Sequence, residues 1–358
     1  MLPYIDGHLD IAYNALFHDR DQSLDIAQLR AREAALTGSE PGLATVCLPE
    51  LRRAGAALCM VTVFARAKPG RVLDQPPMRM DLDFGSASIA HAVTRAQLAY
   101  YELLESQGML TIIRDRAALD AHWLNVEAAR LAAGPWPLGV ILTMEGADAI
   151  VEPPLLDDWH ARGLRALSLV HYGHNAFAAG TGVDGPLTDR GRTLLKRMRS
   201  LPMALDLTHT SDTSMAEAFD LDDGPIYARH SNCRALADTV RQLTDAQLRT
   251  IIGRDGVVGV VLYNKMLQWP CDQRVPLDRV VDHIDHICSL AGNTRHVAIG
   301  SDLDGGFGAL DAPAGIDTIA DMQKLAALLA SRGFSQNDIE GIFSGNWIRF
   351  MRRILPGA

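Results

Sequence analysis

The sequence predicts an α/β fold, specifically a closed (β/α)8 TIM barrel with its chemistry at the C-terminal mouth of the strands. Three observations carry this. Short apolar runs alternate with helix-length stretches, eight such runs can be counted, and polar residues able to bind metal stand at the ends of most of them. Runs that are apolar without alternation read as strands buried on both faces, as in a parallel sheet.

The first run, residues 2–5, leads into Asp6-Gly7-His8-Leu9-Asp10. Residues i and i+2 of an extended backbone share a face, so His8 and Asp10 can converge on one ion. Two polar side chains at the end of a buried strand are costly unless something satisfies them. The same spacing recurs in His283-Ile284-Asp285, but inside an amphipathic helical pattern, where it reads as a solvated face. Residues 11–41 show no clear period and are expected to loop over one end of the fold. Residues 43–53 read as a short helix and 56–65 (AALCMVTVFA) as a buried strand. The stretch 66–83, rich in Pro, Gly and Met, reads as a long loop. Helices are expected at about 84–107 and 117–132, with a strand-like piece at 109–113 between them.

From there the rhythm is regular. Strands are expected at 138–144, 164–170, 203–208, 225–229, 256–262 and 296–300, with helices at 155–162, 188–200, after His209, at 244–253 and at 277–291. Two helices, about 316–332 and 335–353, close the chain. No G-x-G-x-x-G follows the first strand, which argues against an open dinucleotide-binding sheet. With no repeat and no linker, residues 1–358 are expected to form a single domain.

Composition narrows the function. The 358 residues are 48% apolar and 22% charged, as in an ordinary globular protein. A net charge of −9 disfavours nucleic acid and anionic membranes as partners. No apolar run approaches the roughly 20 residues that span a bilayer, and the N-terminus shows no signal-peptide pattern. Five scattered cysteines without C-x-x-C spacing read as reduced thiols, which points to the cytoplasm.

The candidate site is a set of strand ends. His8 with Asp10, Glu145, His171, His209, His230 and Asp302 each follow a different apolar run. In a barrel these ends converge on one mouth, where active sites of this fold lie. Histidines and carboxylates suit zinc or a similar divalent ion. Each residue also has a plainer reading: a hydrogen-bonded loop histidine, an acid beside a helix N-terminus for Glu145, a turn former for Asp302. The coincidence at six strand ends is what the plainer readings leave unexplained. His18, His91, His122, His160, His283, His286 and His296 lack this placement and read as structural or surface residues, whereas His174, in the mouth loop, could meet substrate or only water.

Several motifs together resemble the membrane (renal) dipeptidase family of zinc peptidases, within the amidohydrolase-type barrels. They are Asp6-Gly7-His8-Leu9-Asp10, Met144-Glu145-Gly146, Leu169-Val170-His171, Asp206 through Asp212, Arg229-His230-Ser231-Asn232 and Gly300 through Gly305. The resemblance implies two zinc ions bridged by Glu145, one held with His8 and Asp10, the other with His209 and His230. It implies that His171 binds and polarises the substrate, that Asp302 handles protons, and that Arg241 grips the substrate's terminal carboxylate. The implied activity is hydrolysis of dipeptides by a hydroxide bridging the metals. Leu9 stands where the family often has Asn, and its side chain should point away from the metals. The loops at 66–83 and 172–177 differ from the animal enzymes, and no lipid-anchor signal follows Leu355.

Two rival readings remain. One is a related binuclear metal hydrolase acting on another amide, a lactone or an ester, which would need no carboxylate clamp at Arg241. The other is an inactive barrel retained for binding, which a missing ligand would support; none is missing. Arg241 itself could instead be a surface residue capping the helix that starts near Thr244. A homodimer is compatible with the sequence, which does not decide the oligomeric state.

Overall fold

Parallel strands follow one another around the fold in chain order: β1 (Tyr4–Leu9), β2 (Ala56–Val63), β3 (Gly139–Met144), β4 (Leu164–Ser168), β5 (Ala204–Asp206) and β6 (Ile226–Tyr227). β7 (Val258–Val260) pairs in parallel with β8 (Val297–Ile299). A parallel bridge between Ala228 and Val258 joins β6 to β7. At the remaining seam the Asp6 carboxylate of β1 accepts a hydrogen bond of 2.9 Å from Ser301 N, just past β8. The architecture is that of the TIM-barrel enzymes, and all eight expected strands are present. This computed structural model describes residues 1–37, 43–69 and 82–357.

The strands are apolar on both faces because both faces are covered. Ile5, Leu58, Met60, Ile141, Ala166, Ala204 and Ala298 belong to one buried cluster with Trp347 and Phe350 of the last helix, Asn346–Ile354. Trp347 Nε1 donates to Ile299 O at 2.8 Å, tying that helix to β8. Their neighbours Tyr4, Leu9, Cys59, Val61, Val140 and Leu142 lie in a second, larger cluster. Gly7 sits where a Cβ would come within 2.6 Å of the Trp347 ring and 2.7 Å of Arg229 O, so only glycine fits. Among the described residues no helix is long and apolar enough to cross a membrane.

Several expectations need correction. Residues 11–41 carry two helices, Ile11–His18 and Ile26–Thr37, where a loop was expected. The first shows a short buried face, Ile11 to Asn14. The second is anchored by Leu29 and by Arg30, which reaches Ala44 O at 2.9 Å and the Asp317 carboxylate at 3.0 Å. The helix expected at 43–53 begins only at Leu48. Before it, the Thr45 and Val46 N–H groups are taken by the buried Asp304 carboxylate at 2.8–3.0 Å, which holds the backbone out of a helix. His283 is not on a solvated face: it is fully buried, its Nδ1 accepting from Cys233 N and its Nε2 meeting Leu267 O, both at 3.1 Å. Of the loop expected at 66–83, residues 70–81 lie outside the described residues; its ends pair, Arg66–Ala67 against Asp83–Phe84.

Candidate metal centre

Strand ends deliver the side chains. His8 is the penultimate residue of β1, and Asp10 follows that strand. The β1–β2 register slips between Asp6 and Leu9, a bulge that re-aims the end of β1. Asp10 is the N-cap of the helix Ile11–His18 yet makes no capping bond; its carboxylate lies 3.4 Å from His8 Nε2 instead. The two residues therefore converge through a bulge and a turn, and simple strand alternation is not the cause. Glu145 follows β3, His171 lies three residues past β4, His209 three past β5, His230 three past β6 and Asp302 three past β8. His209 and Asp302 have left-handed backbones, φ 68° and 60°, conformations that non-glycine residues adopt rarely and often at functional sites. Gly305 makes room for Asp302, since a Cβ there would lie 2.0 Å from its Oδ1.

Glu145 is the hub. Its Oε2 lies 3.8 Å from His8 Nε2, while its Oε1 lies 3.2 Å from His209 Nε2 and 3.4 Å from His230 Nε2. One carboxylate thus turns one oxygen toward each of two donor sets. Asp302 Oδ1 approaches His8 Nε2 at 3.3 Å. Three overlapping groups, His8/Glu145/His230, Glu145/His171/His209 and His8/Asp10/Asp302, each have donor atoms within 4.8 Å of one another. Asp10 Oδ1 and Glu145 Oε1 are buried without a well-formed hydrogen bond, which fits carboxylates aimed at a cation. Imidazole and carboxylate donors at this spacing fit zinc-type ions.

The electrostatics agree. Burial alone would raise the Glu145 carboxyl, but Arg229 and His8 outweigh it and hold it ionised, well below the usual range. Burial would lower the His8 imidazole, yet Asp10 and Glu145 outweigh it and raise it to about 8. Asp302 is pushed up to about 8 by burial, reinforced by Asp10 and Glu145. A cation beside it would draw it back down. His171 is driven down to about 3 by burial, with Arg66 and Arg241 adding to the effect, so it is neutral.

Over the centre lies a cavity of about 360 Å³ lined by these residues and by Tyr13, Phe64, Tyr172, Tyr263 and Trp269. Arg241 lines it too. Its Nη2 donates to His230 O at 3.0 Å and lies 3.2 Å from His209 Nε2, and its Nη1 lies 3.3 Å from Ser231 Oγ. It caps no helix; Thr244 does that, in a capping box with Gln247.

A model of the membrane dipeptidase family, peptidase family M19, matches residues 1–355. The chain belongs to that family. A metallo peptidase of Rhodobacter sphaeroides, solved with a phosphinate mimic of the dipeptide L-Ala-D-Ala, superposes with a TM-score of 0.77 at 25% identity, covering 99% of each chain. The dipeptidase AC structure gives a TM-score of 0.77 at 26% identity, covering 100% of this chain and 99% of that one. Dipeptidase aclJ of Aspergillus oryzae is 30% identical over 222 residues, 61% of this chain and 52% of that protein. An uncharacterized dipeptidase of Schizosaccharomyces pombe is 32% identical over 58% of this chain and 51% of its own length. The match thus spans about half the length of these two curated relatives.

In this M19 chain several residues escaped sequence reasoning. Arg229, wholly buried, reaches Glu145 Oε1 at 3.4 Å through Nη2 and Asp206 Oδ2 at 2.8 Å through Nε. Its Nη1 meets the hydroxyls of Thr62 and Thr143. Both Arg229 and Asp206 stand in the motifs quoted above, but the sequence assigns neither of them a role. Arg66 Nη1 lies 3.4 Å from His171 Nδ1, which leaves Nε2 to carry the imidazole proton. In sequence Arg66 reads only as the first residue of a long loop.

Proposed function

We propose that this chain is a dipeptidase using two divalent ions, zinc by the chemistry of the donors, and that residues 1–358 work as one catalytic unit. His8, Asp10 and Glu145 would hold one ion, and Glu145, His209 and His230 the other. The observation that carries this is the Glu145 carboxylate, whose two oxygens face two separate donor sets under a cavity that Arg241 also lines. Bound there, the ions would supply Lewis acidity to activate water and polarise the scissile carbonyl.

The protein's own groups divide the remaining work. The Arg241 guanidinium, oriented by His230 O and Ser231, keeps donors free for a bidentate grip on a free carboxylate, which selects short peptides. Neutral His171 donates a hydrogen bond from Nε2–H to the carbonyl oxygen as negative charge develops there. Asp302 takes the proton from the attacking water as its oxygen bonds to the carbonyl carbon. It then returns that proton to the amine nitrogen as the C–N bond breaks. The structural likeness to a peptidase bound to a dipeptide mimic supports the substrate class.

Kinetics on a dipeptide and on its C-terminal amide test the reading. The free acid should be strongly preferred, and Arg241→Ala should cut kcat/KM on the acid by 2–4 kcal/mol, roughly 30- to 1,000-fold, with little effect on the amide. Equal rates on acid and amide in the wild type would remove the clamp and favour a lactone, ester or other amide as substrate.

A further inference from the structure

The dipeptidase reading assigns work to every charged side chain lining the cavity except one, Lys265. Lys265 lies on the short helix Asn264–Leu267, which follows β7 at the mouth. Its position is built rather than incidental. Asn264 Oδ1 accepts from Val275 N at 3.1 Å and Asn264 N donates to Asp311 O at 2.8 Å, so this turn is pinned to two neighbouring loops. The adjacent Met266 O accepts hydrogen bonds from Asn232 Nδ2, at 3.0 Å, and from Gln242 Nε2. Gln242 is the residue next to Arg241. The backbones that carry Lys265 and Arg241 are thereby stitched together as neighbours on the rim.

Among the described residues no carboxylate lies within 4.0 Å of the Lys265 ammonium. That ammonium meets the Tyr263 hydroxyl. Tyr263 itself stacks on Phe307, ring centroids 4.7 Å apart, giving this side of the cavity an apolar wall. A cation with no carboxylate within 4.0 Å among the described residues, lining the same cavity as an aromatic pair and the Arg241 guanidinium, is complementary to a second carboxylate on a short aliphatic stem.

We infer that Lys265 is a specificity-determining residue that binds the side-chain carboxylate of an acidic C-terminal residue, so that the substrates are dipeptides ending in Asp or Glu. The inference rests on the dipeptidase reading. Arg241 holds the α-carboxylate of the C-terminal residue. The side chain leaves the same α-carbon, and the rim segment tied to Arg241 is the one that presents Lys265.

Ala-Glu and Ala-Gln test it, since they share shape and differ in charge. Wild type should favour Ala-Glu by about tenfold in kcat/KM, the size expected of one charge-assisted contact that is open to solvent. Lys265→Met should bring that ratio to within about twofold, and Lys265→Glu should invert it. Because the measure is a ratio within one variant, differences in folded fraction cancel. A wild-type ratio near one, or a ratio that survives in Lys265→Met, overturns the inference and leaves the dipeptidase reading standing. Hydrolysis of neither peptide overturns the dipeptidase reading, and the inference with it.

Discussion

The Arg229 guanidinium lies 3.4 Å from Glu145 Oε1 and, enclosed by the barrel, forms its second ion pair with Asp206 at 2.8 Å. A carboxylate at the hub of the candidate metal centre is thus held ionised by a cation from the end of β6, three strands further round the barrel. Deleting one partner of such a buried set strands the others as unpaired charges. Arg229→Met should therefore destabilise the metal-free protein by about 3–5 kcal/mol, read from urea denaturation. A loss below about 1 kcal/mol would show that the pairing is dispensable.

Asp302 separates catalysis from metal holding. Its proposed role is proton transfer, so Asp302→Asn should retain both ions in elemental analysis while turnover falls by about 10²- to 10⁴-fold. If the variant binds only one ion, Asp302 belongs among the ligands. Full activity would remove it from the mechanism.

The barrel was legible because strands covered on both faces are written as continuous apolar runs, and the mouth was legible because His8, Glu145, His171, His209, His230 and Asp302 interrupt those runs at their ends. The helix Ile26–Thr37 was not, since Leu29 is its main buried anchor and no apolar stripe forms. Arg229 and Asp206 were illegible as a pair for a related reason: they satisfy each other inside the barrel, and nothing in PIYAR or MALDLT shows that the two ends meet. His283 misled because an amphipathic pattern does not reveal that a histidine on its boundary is sealed by Cys233 and Leu267.

His283, which is not among the candidate metal ligands, gives a pH prediction. Burial depresses it from 6.5 to about 4. Between those values the unfolded chain binds a proton that the folded chain refuses. Its stability contribution is fully present above pH 6.5 and is lost as the pH falls toward 4, by roughly 3 kcal/mol. Denaturation of metal-free protein at pH 7 and pH 4.5 should show His283→Gln losing distinctly less stability than wild type over that interval. Identical losses would mean that His283 does not titrate with unfolding.

The central claim is a pair of ions sharing Glu145, and stepwise reconstitution tests it most directly. Protein stripped by chelator is titrated with zinc while hydrolysis of a dipeptide is followed. The account predicts no turnover in the stripped protein and a maximum at two equivalents per chain. Full activity without metal, or saturation at one equivalent, would contradict it.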